Sequence, residues 1–381
     1  MHARRALIVL AVAYVVAFAS GGIQLPLTST AMEHVGLSMS AIGVMWAARQ
    51  VLGIFGPALW GVLADRRGDT KPYAVASLAS GAVLLALLSV TTSAAPAIAL
   101  FGFYGLLCGP SGSLLDGMTI QALGDDKARF GRWRMWGTIG FGLSALGSAL
   151  LLDRGLIAPS PRVIFPVCAL FTAAGAVSVG FVPRLPRPPL GRVRDVLPLL
   201  RRPDMSALFV TCTLLWCSHA AYSGFLTPLA AAQSLPEWSV GASLAVAIVV
   251  EVVMLREAGF FIARFGGRTV ILASCALAVL RWALTALATS PAAFIALNAL
   301  HGITFGLFFA TLVAMVAARA PPQMRQAAQG VVGSSAFGLG GGVGSLLVGA
   351  VFQHVGAPAA WASMAVMAAL AFVVALRIPR V

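Results

Sequence analysis

Charged residues are scarce in this chain. Only 10% of its 381 residues are Asp, Glu, Lys or Arg, while 59% are apolar. A soluble globular domain carries roughly 25% charged residues, so the composition excludes a water-soluble protein of this length. Acidic residues are the scarcest, at 12 against 26 Lys and Arg, which gives a formal net charge of +14. The basic residues lie mainly in every second connection between the apolar runs, which places them on one side of a membrane. We therefore predict no nucleic-acid partner.

Several motifs that would carry chemistry are also missing from the sequence. Five cysteines lie inside apolar runs without CxxC spacing, which predicts packing residues rather than metal ligands or disulfides. The glycine-rich stretch 338–344 follows no strand, so it is not a dinucleotide loop. With no Walker loop, zinc-ligand spacing or nucleophile motif, we predict no metal, no bound cofactor, no enzyme and no ATP-driven pump.

Long apolar runs fill the chain instead. A membrane-spanning helix needs roughly 20 apolar residues, and charged or Pro/Gly-rich breaks divide this sequence into such segments. The predicted spans are twelve: 6–28, 40–63, 72–91, 96–120, 134–152, 161–182, 205–226, 239–262, 269–288, 291–316, 327–350 and 358–376. The first is too long for the apolar region of a signal peptide and is predicted to stay in the protein.

The basic residues orient these spans. On the side opposite the N-terminus the basic residues are only two, Arg154 in a loop and Arg162 at the first turn of the sixth span. Because basic loops stay in the cytoplasm, both termini are predicted to be cytoplasmic. The Arg- and Pro-rich stretch 184–204 is predicted to be a cytoplasmic linker between an N-terminal six-helix bundle, 1–183, and a C-terminal one, 205–381. We expect a multi-pass monomer in the bilayer of the cell inner membrane.

An internal repeat supports two related halves. The stretch 61–68, which closes the second span, and the stretch 259–266, which closes the eighth, both begin and end with glycine and lie 198 residues apart. Parallel repeats of this kind are typical of alternating-access transporters. The predicted fold class is therefore all-α, with two pseudo-symmetric six-helix bundles.

The first copy carries a recognisable motif. Gly61, Asp65, Arg66, Gly68 and Lys71 have the spacing and position of the loop signature that joins helices two and three in the major facilitator superfamily, which this chain resembles. The resemblance implies a conformational switch, with the glycines allowing close packing and a tight turn. The second copy has Ala263 in place of the acid, so we expect it to stabilise one conformation of the switch less strongly.

Ionisable groups within the spans are costly, at least about 2.5–3.5 kcal/mol each at the bilayer centre. Asp116 and Arg134, 18 residues apart on spans 4 and 5, resemble the substrate-holding pair of the lactose permease and its relatives. Arg281 and His301 fall where that family places its coupling arginine and histidine, and Glu251 resembles the phenylpropionate permease branch. These five residues are the predicted substrate and coupling site.

Other groups are weaker candidates. Arg49 and His219 are expected either to line the cavity or to form buried ties between helices. On span 10, Asn298, His301, Phe305 and Phe308 follow helical spacing and are expected to face the cavity together. Arg256 and Glu257 lie nearer the cytoplasm and are expected to form a structural pair.

Departures from the family pattern also matter. Thr304 stands where the lactose permease has a carboxylate three residues after its histidine, so another acid must carry a coupling proton. Glu251, near the middle of span 8, is the first candidate and Asp116 the second. The antiporter signatures of drug-efflux relatives are absent.

The sequence thus predicts a secondary active transporter that imports a small organic solute by alternating access, with a proton as the coupling ion. Two cavity arginines would suit an aromatic or other carboxylate, whereas Asp116 would suit a sugar-like solute. The alternative within this class is proton-coupled efflux of drugs or metabolites. Outside it, a channel would need a filter motif and a non-transporting scaffold would have no use for intramembrane charges.

Overall fold

The computed structural model describes residues 2–124, 129–183, 185, 201–321 and 324–379, and all regular elements within these ranges are helical. The helices of the N-terminal part are α1 His2–His34, α2 Met39–Gly53, α3 Gly56–Arg67, α4 Lys71–Leu88, α5 Ala94–Cys108, α6 Ser111–Leu123, α7 Phe130–Asp153 and α8 Pro161–Gly180.

The C-terminal part has shorter pieces and two π-helices. Its helices are α9 Pro203–Ser218, α10 Ala220–Gly224, α11 Leu226–Ala232, α12 Glu237–Phe265, α13 Gly267–Thr285, α14 Pro291–Ala299, a first π-helix Gly302–Leu307, α15 Phe308–Arg319, α16 Arg325–Gly333, a second π-helix Ser334–Gly340, α17 Gly341–His354 and α18 Ala357–Ala375.

Ten helical segments of the described chain are long and apolar enough to cross a membrane. The other two predicted spans, 40–63 and 205–226, fall on interrupted helices. Proline explains a break in each, because its ring removes the bond to the carbonyl four residues earlier. Pro57 follows Gly53, the last residue of α2, by four residues, and Pro228 follows Gly224, the last residue of α10, by four. Twelve crossings with cytoplasmic termini therefore remain a prediction.

The chain divides into two units, 1–191 and 192–381. In the N-terminal unit α1 packs on α7 and α8, while α5 packs on α2 and α4. In the C-terminal unit α18 packs on α9 and α13, and α12 packs on α14 and the first π-helix. The predicted linker, 184–204, lies mostly outside the described residues, so its boundaries stay predictions.

The internal repeat appears as a repeated turn. Gly68 ends α3 with φ 70° and Gly266 ends α12 with φ 79°, and their numbers differ by 198. A positive φ of this size favours glycine, so both glycines serve the turn. The expected close packing at Gly61 is not found in the described N-terminal unit, since a Cβ there would meet no atom within 4 Å. The side chains of Asp65 and Arg66 lie outside the described part.

Glycines on the eleventh predicted span do allow close helix packing. A Cβ at Gly340 would lie 2.5 Å from the carbonyl oxygen of Thr213, and one at Gly344 would overlap the carbonyl oxygen of Cys217. Both contacts are with α9. The four-residue spacing of these glycines therefore brings the second π-helix and α17 against α9, as small residues do between membrane helices.

Candidate substrate and coupling sites

The N-terminal unit contains the expected acid–base pair. Arg134 Nε on α7 lies 3.1 Å from Asp116 Oδ1 on α6, and the two side chains are 30% and 35% exposed. The hydroxyl of Tyr14 on α1 donates to the same Oδ1 at 2.6 Å. We call these three residues the Asp116 cluster. It joins three helices and leaves part of each charged side chain accessible.

Aromatic faces support this cluster. The guanidinium carbon of Arg134 lies 4.2 Å from the ring centroid of Phe18 and 5.4 Å from that of Tyr14. The Tyr14 hydroxyl is also 3.1 Å from the hydroxyl of Thr119. Sequence reasoning missed Tyr14 and Phe18. Their four-residue spacing on the first span, which places them on one helical face, is the signal that could have found them.

Arg49 lies on α2 against a different set of rings. Its guanidinium carbon is 5.0 Å from the ring centroid of Trp46, 5.3 Å from Phe101 and 5.6 Å from Tyr104. All three rings are buried, whereas Arg49 itself is partly exposed. Arg49 has no hydrogen bond or ion pair with any residue that the structure describes. We call Arg49 and its three rings the Arg49 cradle.

A buried polar network lies behind the cradle. The side-chain amide of Gln24 donates to the Tyr104 hydroxyl at 3.0 Å and to the Ser20 hydroxyl at 2.9 Å. Thr172 donates to Ser20 at 2.8 Å. The side-chain carbonyl oxygen of Gln24, a residue 2% exposed, has no hydrogen-bond partner within the described ranges. The network fixes the Tyr104 ring beneath Arg49 and ties α1 to α5 and α8.

The C-terminal unit encloses Arg281, which is fully buried on α13. Its guanidinium donates to Asn298 Oδ1 at 2.9 Å and to Thr304 Oγ1 at 3.1 Å, and lies 3.3 Å from His301 Nδ1. The guanidinium carbon is 4.0 Å from the ring centroid of Trp282. Thr304, which replaces the family's carboxylate, therefore supplies a neutral acceptor to Arg281.

Glu251 on α12 adjoins this group through His301. Glu251 Oε2 lies 3.8 Å from His301 Nε2, and the Glu251 side chain is 26% exposed. The ring of Tyr222 stacks on His301 with centroids 4.2 Å apart. We call Glu251, His301 and Arg281 the coupling group. His301 touches both of the other members, so the three residues from α12, α13 and span 10 are brought together.

Two glycines that sequence reasoning missed allow this approach. A Cβ at Gly302 would lie 2.6 Å from the Glu251 backbone nitrogen, and one at Gly306 would lie 2.9 Å from Glu251 Cγ. Both belong to the first π-helix, which packs on α12. Their four-residue spacing was the available signal.

The predicted stripe on span 10 is wrong beyond Phe305. It assumed an uninterrupted α-helix, but a π-helix winds more residues into each turn and shifts the face that follows. Phe305 stacks on His301 at 4.7 Å, and the ring that continues along it is Phe309, at 6.2 Å, rather than Phe308. Phe308 is fully buried in the core of the unit.

Asn298, which was expected to line the cavity, is buried, and so is His219, for which the sequence left two alternatives. Asn298 is 0% exposed because it holds Arg281, and its own amide donates to a backbone carbonyl. His219 is 2% exposed, with Nδ1 2.8 Å from the Leu215 carbonyl oxygen and Nε2 3.4 Å from Thr304 Oγ1. His219 is therefore the buried tie that the sequence left as the alternative.

Arg256 and Glu257 are the remaining charged residues predicted to form a pair within the spans. Arg256 Nε lies 3.4 Å from Glu257 Oε1, with side chains 85% and 45% exposed, so the two form the expected pair. Among the described residues no group of three or more His, Cys, Asp or Glu could hold a metal ion.

Bundles of apolar helices with charged side chains held inside them are typical of membrane transporters. The chain belongs to the MFS_1 like family of major facilitator transporters, whose sequence model matches residues 7–363. The family excludes an enzyme as the type of protein and confirms the resemblance drawn from the 61–71 motif.

The named relatives are distant in sequence, and their alignments cover most of each chain. The chain is 26% identical to "Putative nucleoside transporter YegT" of Escherichia coli (strain K12), covering 84% of this chain and 78% of that protein. It is 27% identical to the maltose permease of Geobacillus stearothermophilus, covering 90% and 86%. A crystal structure of the nucleoside transporter NupG matches with a TM-score of 0.84 at 19% identity over 98% of both chains, which shows the fold.

Proposed function

We propose that the protein is a proton-coupled secondary transporter that imports a hydroxylated solute of the nucleoside or sugar class through the cell inner membrane by alternating access. The observation that carries this proposal is the Asp116 cluster, in which a paired carboxylate and guanidinium are each about one-third exposed among aromatic side chains. Such a group offers acceptors and donors for hydroxyls and a ring face for an apolar or aromatic surface.

The geometry favours a hydroxylated solute over a simple carboxylate. Arg281 is fully buried and its two Nη groups face Asn298, Thr304 and His301, so it presents no fork to a solute. Arg134 is already paired with Asp116, and the pair is neutral overall. The relatives named for nucleosides and maltose support the same class.

The coupling group supports proton symport. Glu251 is partly exposed and lies next to His301, two groups that can exchange a proton within reach of the Arg281 cation. With Thr304 occupying the usual carboxylate position, Glu251 is the acid we assign to proton binding. A carboxylate that binds the proton with the solute and releases it afterwards couples the two flows.

Uptake by purified protein in proteoliposomes tests the function. Radiolabelled uridine, adenosine and maltose are offered with an imposed pH gradient, acidic outside, and then with the gradient collapsed by an ionophore. We expect one of these solutes to accumulate only while the gradient lasts. Accumulation independent of the gradient would contradict proton coupling, and the absence of uptake for all three would contradict the solute class.

The Glu251→Gln variant tests the assigned acid. Addition of solute to a lightly buffered suspension of wild-type cells is expected to make the medium alkaline, and this signal should vanish in the variant. Exchange of solute at equal concentrations should persist, because exchange needs no proton release. Glu257→Gln, six residues further along α12 and 45% exposed, is the matched control and should alkalinise the medium normally. Loss of exchange together with coupling would contradict the assignment.

A further inference from the structure

The Arg49 cradle holds a cation that forms no ion pair within the described part of the N-terminal unit. The Asp116 cluster is neutral, so Arg49 is the uncompensated charge among the described ionisable groups within the spans of the N-terminal unit. Its position, ten residues after the start of α2 at Met39, places it roughly 15 Å along that helix. A guanidinium at such a depth is costly unless it is paired or wetted.

The cradle fixes Arg49 without using its hydrogen-bond donors. Trp46, Phe101 and Tyr104 surround the guanidinium carbon at 5.0–5.6 Å. Ring faces attract a cation, but they accept none of the five N–H bonds of a guanidinium in the way that an oxygen does. The N–H donors therefore remain available, and Arg49 is partly exposed while the three rings are buried.

A close approach of α5 to α2 places the rings of the cradle beside Arg49. Gly105 on α5 lies so close to the Arg49 carbonyl that a Cβ there would overlap it, and a Cβ at Gly102 would lie 3.0 Å from Leu52 Cδ1. The two glycines bring α5 against α2, which sets Phe101 and Tyr104 beside Arg49. Gln24 then anchors the Tyr104 hydroxyl at 3.0 Å.

We propose that the Arg49 cradle is an anion subsite that takes a carboxylate carried by the transported solute. A fixed guanidinium with free donors matches a carboxylate in a two-pronged hydrogen-bonded pair. Arg281 is fully buried and the charge of Arg134 is balanced by Asp116, so Arg49 is the described arginine within the N-terminal spans whose charge has no partner. The inference rests on the proposed function, and it narrows the hydroxylated solutes of the nucleoside or sugar class to those that carry a carboxylate, such as a uronate or a nucleoside 5′-carboxylate.

Matched neutral and acidic solutes test the subsite. Binding to the full-length protein in lipid nanodiscs is measured at one pH for uridine and uridine-5′-carboxylate, and for glucose and glucuronate. Wild type is expected to bind the acid of at least one pair about tenfold tighter than its neutral partner, the gain of one charge-assisted contact. In Arg49→Gln the affinity ratio, defined as the affinity for the acid divided by that for its neutral partner, should fall to about one.

Two further variants keep the test decisive. Arg256→Gln removes an arginine that is 85% exposed and should leave the ratio unchanged. Arg49→Lys keeps the charge but loses the fork, so the ratio should drop at least about threefold while the protein stays folded. Wild-type ratios near one for both pairs, or a ratio that survives in Arg49→Gln or Arg49→Lys, would overturn the proposal.

A chloride titration distinguishes the source of the anion. Arg49-dependent binding of chloride that abolishes the preference for the acids would assign the subsite to an inorganic anion and overturn its assignment to the solute. The outcome for the proposed function is separate. Uridine or glucose binding with no preference for the acid leaves the transport proposal standing, whereas binding of the acids alone, dependent on Arg49, supports the subsite and contradicts neutral hydroxylated solutes.

Discussion

At the scale of single residues, the Asp116 cluster makes a direct prediction. Asp116→Asn and Arg134→Gln should each weaken solute binding, because each leaves a partly buried charge without its partner. The double variant should bind better than the sum of the single effects predicts, with a coupling energy on the order of 1 kcal/mol, reduced from that of a buried pair because both side chains are about one-third exposed.

A double-mutant cycle of binding constants checks this coupling. Ser178→Ala is the control, since the Ser178 hydroxyl donates to the Ala174 carbonyl oxygen on its own helix, outside the Asp116 cluster, and it should behave additively with both. Strict additivity between Asp116→Asn and Arg134→Gln would mean that the pair does not act as a unit in solute binding.

Residue identity and spacing predicted which charged residues pair, but not which polar side chains are buried. Asp116 and Arg134 were predictable as partners because both are charged, both lie in apolar spans, and the family pattern pairs them. The sealing of Asn298 and His219 was not predictable, because a polar side chain on a helix can turn to a cavity or to a neighbouring helix with the same sequence pattern. Burial is decided by the partners, here Arg281 and Thr304.

At the scale of helices, the first π-helix positions the coupling group. Gly302→Ala should lower stability by about 1–3 kcal/mol, since its Cβ would lie 2.6 Å from the Glu251 backbone and helix α12 would have to move. For a unit of this size that corresponds to a Tm lower by roughly 2–12 °C. The displacement should also weaken the His301–Glu251 contact and the solute-driven alkalinisation.

Gly330→Ala is the matched control on α16. Its Cβ would meet no atom of the described chain within 4 Å, so the substitution should leave Tm unchanged or raise it, because alanine favours a helix by about 1 kcal/mol over glycine. Thermal unfolding of both variants in the same detergent gives the comparison. Equal Tm changes in the two would show that the approach of the first π-helix to α12 does not matter for stability.

Helix positions were largely predictable, and the breaks within them were not. Apolar runs with charged or Pro/Gly-rich boundaries placed every predicted span on a helical segment. The interruptions at Ile54 and Phe225 lie near Pro57 and Pro228, each of which removes one helix hydrogen bond. A helix can respond to that loss by bending or by breaking, and the sequence does not distinguish the two. The π-helices Gly302–Leu307 and Ser334–Gly340 interrupt the α-helical spacing, and after the first of them Phe309 takes the place expected for Phe308.

At the scale of the whole molecule, the repeat with an offset of 198 residues relates two units that differ in chemistry. The turn glycines, Gly68 and Gly266, both have a positive φ. The charged groups inside the two units do not follow the repeat: the N-terminal unit holds a partly exposed ion pair, and the C-terminal unit holds the buried Arg281. This division suits a transporter in which one unit contributes more to solute binding and the other to coupling.

The repeat also supplies a matched pair of glycines for testing the switch motif. A Cβ at Gly61 or at Gly259, its counterpart 198 residues later, would meet no described atom within 4 Å inside its own unit. Gly61→Leu should therefore leave the folding of the N-terminal unit intact and equilibrium solute affinity within a few-fold of wild type. Turnover should slow by about tenfold, an increase of roughly 1.4 kcal/mol in the barrier to the conformational change.

Gly259→Leu should slow transport less, because the second copy has Ala263 where the first has Asp65 and so lacks the acid of the switch. Parallel measurements of solute binding at equilibrium and of exchange rates in proteoliposomes separate the two effects. If Gly61→Leu reduces binding as strongly as it reduces transport, Gly61 acts on the solute site and the motif is not a conformational switch. If both variants slow transport equally, the missing acid in the second copy makes no difference to the switch.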